Sequence, residues 1–147
     1  MKHVKHALQT LAGIAALAMA LAPSAFAHHS FAAQYDSNKV VELKGWVTKV
    51  EWFNPHVYFY VDVDNAETGK TENWAIEMGP PHMLQDSGWK KNSMKIGDEV
   101  EVVATRARDG SNSANARSVK LSATGEVLGA ASSEQQTLTG GGRRTGN

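Results

Sequence analysis

Glu51-Trp52-Phe53-Asn54-Pro55-His56-Val57-Tyr58-Phe59-Tyr60-Val61-Asp62-Val63 is the stretch on which the fold turns. After Pro55 it alternates strictly. Val57, Phe59, Val61 and Val63 take one side and Tyr58, Tyr60 and Asp62 the other, the pattern of a half-buried antiparallel strand. Asn54-Pro55 interrupts the run before it, because proline has no N–H for a ladder and disfavours helix at the residue before it. His56 therefore opens a central strand beside a turn. A polar group fixed at the end of a packed strand is a natural position for binding.

Working outward, a long first strand is expected over residues 40–53. In it Val41, Leu43 and Val47 share one phase, and Val50 and Trp52 the other. The change of phase, with Gly45 nearby, predicts a bulge or strong coiling. Residues 65–70 read as a hairpin loop with Gly69, and residues 71–77 as a third strand with Trp74 and Ile76 on one face. Gly79-Pro80-Pro81 stops the sheet, and residues 82–88 suit a short helix with Met83 and Leu84 on its apolar side. Residues 99–106 and 114–121 read as strands four and five, separated by the turn signal Asp109-Gly110-Ser111-Asn112. Five strands with one short helix between the third and fourth predict an all-β fold, a small five-stranded antiparallel OB-like barrel. An open antiparallel roll is the alternative.

The flanks read differently. Lys2 and Lys5, an apolar run from Leu11 to Leu21 and Ala25-Phe26-Ala27 compose a secretory signal peptide over residues 1–27, with cleavage after Ala27. No later stretch is long and apolar enough to span a membrane. The expected compartment is the periplasm. The 120 residues that follow Ala27 suffice for one domain, residues 28–122, and residues 123–147 read as a disordered Gly-, Ser- and Thr-rich tail. With 13 Lys and Arg against 15 Asp and Glu after residue 27, no basic face for nucleic acid is expected. The chain has no cysteine, which excludes disulfides and thiolate metal sites.

Three motifs in one order carry a resemblance: His28-His29-Ser30-Phe31; Val50-Glu51-Trp52 leading to Asn54-Pro55-His56-Val57; and Asp109-Gly110-Ser111-Asn112 running into Asn115-Ala116-Arg117-Ser118-Val119. Over about residues 28–121 the chain resembles a family of small exported bacterial proteins of unknown function. The resemblance implies an exported chain with a single small β domain, and no activity.

Candidate chemistry lies in four groups. Cleavage after Ala27 would expose the amine of His28, which with its own ring can chelate one metal ion; the amine's ordinary pKa of about 7.7–8.0 lets a metal displace its proton. With His56, and with His29 adjacent, this predicts a nitrogen-rich site that suits Cu(II), against the alternative that the histidines are structural. Met78, His82 and Met83, with Met94 close in sequence, offer soft donors for Cu(I), although methionines beside Leu84 are also ordinary core fillers. Asn115 and Arg117 share the phase of Val119 and Leu121, so they are expected to point toward the barrel, with Glu77 or Glu51 as partners for the arginine. Trp46, Trp52, Tyr58 and Tyr60 offer an aromatic face, which either binds a ligand or simply stabilises the sheet.

Two readings follow: a copper-binding protein using His28, His29 and His56, and a metal-free module. In the second, Trp52, Tyr58, Tyr60, Asn115 and Arg117 hold an envelope protein or small ligand. No nucleophile motif, phosphate loop or carboxylate pair at a recognisable spacing is present, so no enzymatic turnover is expected.

Overall fold

The computed structural model describes residues 31–132. Six strands form: β1 (Tyr35–Glu51), β2 (Tyr58–Asn65), β3 (Lys70–Glu77), β4 (Glu99–Ala107), β5 (Ser113–Leu121) and β6 (Val127–Gly129). A short helix, α1 (Pro81–Asp86), lies between β3 and β4, and a single helical turn over residues 31–34 precedes β1. No helix among the described residues is long and apolar enough to cross a membrane.

The sheet runs β3-β2-β1-β4-β5-β6, and a parallel pairing of β3 with β5 closes the first five strands into a ring. This is the OB-like barrel expected from the sequence, and the open roll is set aside. Closure works because β1 is long enough to pair along one part with β2 and along another with β4. Its ladder with β2 slips between Val47 and Lys49, at the phase change read from the sequence. At Gly45 the β2 backbone comes so close that a Cβ would stand 2.1 Å from the Asp62 carbonyl oxygen. Only glycine permits that approach.

Inside the ring, Val57, Phe59 and Val61 of the central stretch meet Trp74, Ile76 and Met78, with Val100, Val102, Ala114 and Val119 from the other side. Each large apolar side chain buried here contributes about 1.5–3 kcal/mol. α1 starts with a proline at its first turn, and Leu84 is its buried residue. Gly88, at φ +96°, turns the chain out of the helix, so that Trp89 joins the core and donates from Nε1 to the Gly129 carbonyl at 2.9 Å.

That last bond belongs to a segment assigned above to a disordered tail. Residues 127–129 instead form β6 against β5, with Leu128 and Ala130 in the core. Beyond β6 the chain crosses β3's end, where Gly79 N–H donates to Ala130 O at 2.8 Å. Composition concealed these anchors, since two apolar side chains amid Gly, Ser and Thr suffice to complete a strand. The residues beyond 132, and those of the expected signal peptide, lie outside the described residues.

Candidate functional site

β3 ends on Glu77, a carboxylate only 5 % exposed. Its neighbour Ile76 faces the core, so Glu77 takes the outer face of the barrel. The register sets it beside Tyr58 of β2 and Asn115 of β5, and sets Asn115 beside Thr105 of β4. A polar row thus crosses four strands where the ring closes. A buried carboxylate needs partners to offset its lost hydration, and this one has them. The Tyr35 hydroxyl donates to Oε2 at 2.5 Å, and His56 Nδ1 contacts Oε1.

His56 reaches Glu77 because the chain turns sharply before β2. The Asn54–Pro55 peptide is cis, and Val57 N–H then donates to Gly79 O while Met78 N–H donates to Val57 O. These bonds tie the start of β2 to the end of β3. The imidazole is therefore held by a carboxylate and not by backbone. Donation from Nδ1 fixes the tautomer that leaves Nε2 with its lone pair. The side chain is 43 % exposed, and no group among the described residues bonds Nε2.

Tyr35 arrives from the lead-in. Its ring packs on Phe31, one helical turn earlier, with centroids 5.3 Å apart. Arg108, just past β4, clamps the same segment: its N–H donates to Gln34 O at 3.0 Å and its Nε to Ala32 O at 2.7 Å, with Asp36 4.0 Å from Nη1. Burial first, and then the Glu77 carboxylate, push the Tyr35 hydroxyl far above the ordinary phenol range. Tyr58 is pushed up to about 12 by the same two causes in the same order. Both phenols stay protonated at neutral pH and can serve as donors.

The remaining candidates separate. Tyr60 lies on the outer face of β2 with Tyr58, but its hydroxyl donates to Glu51 Oε2 at 3.0 Å, and Lys49 sits 5.0 Å above its ring. Lys49 and then Tyr60 hold the Glu51 carboxyl below the usual carboxylate range. Trp46 stands exposed, while Trp52 packs against the core edge beside a different cleft. The expected aromatic face is thus divided among separate neighbours.

Asn115 and Arg117 do not follow the inward phase of Val119. The β4–β5 ladder jumps from Val103–Ser118 to Ala104–Ala116, so Arg117 is an extra residue that reverses the phase of everything before it. Ala114 and Ala116 fill the core, and Asn115 lies outside it in the polar row, buried, with no hydrogen-bond partner for its Oδ1. Arg117 Nε donates to Thr105 Oγ1 at 3.0 Å and Nη2 to Ser37 O at 3.2 Å, which pins β5 to the lead-in.

Met78 and Met94 are core residues, Met83 is half-buried, and His82 is exposed on α1, so the soft-donor group is dispersed into packing. His28 and His29 lie outside the described residues. Among the described residues no group of three or more His, Asp and Glu side chains is gathered for a metal ion.

Sequence reasoning did not assemble the Tyr35, Glu77 and Arg108 set. Glu77 carried a usable signal: it is an acid placed one residue after the core-facing Ile76, at the end of a strand. Tyr35 and Arg108 come from remote segments, and only the closed barrel joins them.

A family model matches residues 16–116, which span the His56 turn and most of the barrel. The chain belongs to DUF6152, a family of unknown function. The kinship expected from the three motifs is thereby established, and it brings no activity with it. No curated protein and no solved structure matches the chain.

Proposed function

We propose that the protein is a small exported copper-binding protein of the periplasm, with sequestration or delivery as its role and no turnover. His56 would bind through Nε2, with Glu77 orienting it from Nδ1. Cleavage after Ala27 would add the amine and ring of His28, and His29 is a further donor. The supporting observation is the shared carboxylate. Tyr35 and His56 engage the two oxygens of Glu77, so the segment that follows His29 is anchored where His56 is anchored. Residue 31, packed on Tyr35, stands only two positions after His29. Imidazole and amine nitrogens in a tetragonal set favour Cu(II) over the other common divalent ions.

The test is a Cu(II) titration of protein recovered after export, its amino terminus read by mass spectrometry. One equivalent is expected to bind with a nitrogen-rich paramagnetic spectrum. His56→Ala and a variant with one residue inserted before His28 should each lose tight binding while keeping the fold. Unchanged affinity in both variants would overturn the reading.

A further inference from the structure

The loop after β1 and the turn before β4 stand together around an open cleft of about 440 Å³. Trp52 and Phe53 come from the first, and Lys91, Met94, Lys95 and Ile96 from the second. Phe53 is 58 % exposed and Ile96 71 %, two of the exposed large apolar side chains of this fold, and they line the same cleft. Met94, a core residue, and Trp52, packed against the core, line the same cleft. The Lys91 and Lys95 ammonium groups have no carboxylate within 4.0 Å among the described residues; Asp98, which accepts from the Lys95 backbone N–H at 2.8 Å, does not reach them. The one acid in the lining, Glu51, is already satisfied by Lys49 and the Tyr60 hydroxyl. The patch is thus apolar at its tips and cationic at its rim, in a chain whose formal net charge is +0.

We infer that this patch docks the protein on an anionic lipid bilayer. An aromatic and an aliphatic side chain carried on adjacent loops can enter the headgroup boundary without moving the barrel, while the lysines meet lipid phosphates. Charge complementarity selects the occupant, because two unpaired lysines beside exposed apolar tips match a surface that is negative outside and apolar just within. The inference stands apart from the copper proposal. It uses none of that site's residues.

The experiment is co-sedimentation of the protein, as the cell delivers it, with vesicles of phosphatidylcholine alone and of phosphatidylcholine mixed with phosphatidylglycerol. Binding is expected only to the anionic vesicles, with release as salt shortens the screening length. Lys91→Gln with Lys95→Gln should weaken it by about fivefold per lysine, or roughly 30-fold together. Phe53→Ser with Ile96→Ser should abolish it and move the melting temperature little, since both side chains are more exposed than covered. Wild-type binding that fails on anionic vesicles overturns the inference. So does equal binding by both double variants, or saturable binding of monomeric dodecyl phosphate by a protein that ignores vesicles.

Discussion

Replacing Glu77 by glutamine removes one charge and almost no volume, and the geometry dictates its effects. The carboxylate accepts from two donors, the Tyr35 hydroxyl on Oε2 and His56 on Oε1. Glutamine offers one acceptor and one NH₂ donor, so one of the two partners must meet a donor. If Tyr35 keeps the oxygen, its bond falls from charge-assisted to neutral strength, a loss of about 1 kcal/mol. The half-exposed His56 pair loses about 0.5–1 kcal/mol more. Relief of the buried charge's desolvation offsets part of this, leaving a net destabilisation of about 1–2 kcal/mol. Urea denaturation at neutral pH should move its midpoint down by ~0.5–1 M. The chemistry should change further. With NH₂ against Nδ1, the imidazole adopts the other tautomer and Nε2 carries the proton, so Cu(II) affinity should fall by about 10–100-fold, the usual effect of removing a ligand's outer-shell partner. The assay is a competition titration against a chelator of known affinity, beside the urea curve. A variant as stable as wild type that binds Cu(II) equally well would refute the role given to Glu77.

Four further outcomes are expected. Tyr58 titrates at about 12 in the folded protein against an ordinary value of 10.0, so the unfolded chain ionises first and stability, complete below pH 10, is lost between pH 10 and about 12. The share due to Tyr58 is at most ~2.7 kcal/mol, and about half that after solvent screening; Tyr35 adds its own loss over the same range, so the share is read as the difference between wild type and Tyr58→Phe in denaturation at stepped pH. Gly45→Ala sets a Cβ against the Asp62 carbonyl and should cost more than ~3 kcal/mol or prevent folding, read by circular dichroism and melting. Arg108→Ala releases the two side-chain contacts to the lead-in, to Ala32 O and Asp36, and keeps the backbone bond to Gln34 O; amide exchange over residues 31–36 should accelerate about 10-fold while the β2 and β3 amides are unaffected. Asn115→Ala deletes a buried acceptor that has no partner, so its stability should stay within about 0.5 kcal/mol of wild type or rise.

The barrel was legible because its signals are local and repeat. Alternation of Val57, Phe59 and Val61 against Tyr58 and Tyr60 defines β2, Gly79-Pro80-Pro81 ends β3, and the phase change in β1 marks its bulge. β6 escaped notice because its stabilisation is tertiary: Leu128 packs into a core built by other strands, and Trp89 bonds the Gly129 carbonyl from forty residues away. Arg117 misled for a related reason. Period two carried back from Val119 turns Asn115 and Arg117 inward, and a one-residue bulge reverses every side chain before it. The sequence around it carries no glycine to announce the slip.

The same closure explains why His56 was visible as a candidate and its support was not. In an open roll, Glu77 would end an edge strand and stand in water, where a carboxylate and a histidine gain little from each other. The parallel pairing of β3 with β5 buries it, seating Asn115 on one side while Tyr58 holds the other. The lead-in then completes the enclosure by laying Tyr35 on the second oxygen. A buried carboxylate so surrounded orients its histidine through Nδ1. On the copper proposal, the support that His56 needs is therefore a property of barrel closure, so variants that loosen the β3–β5 seam should weaken Cu(II) binding before they unfold the core.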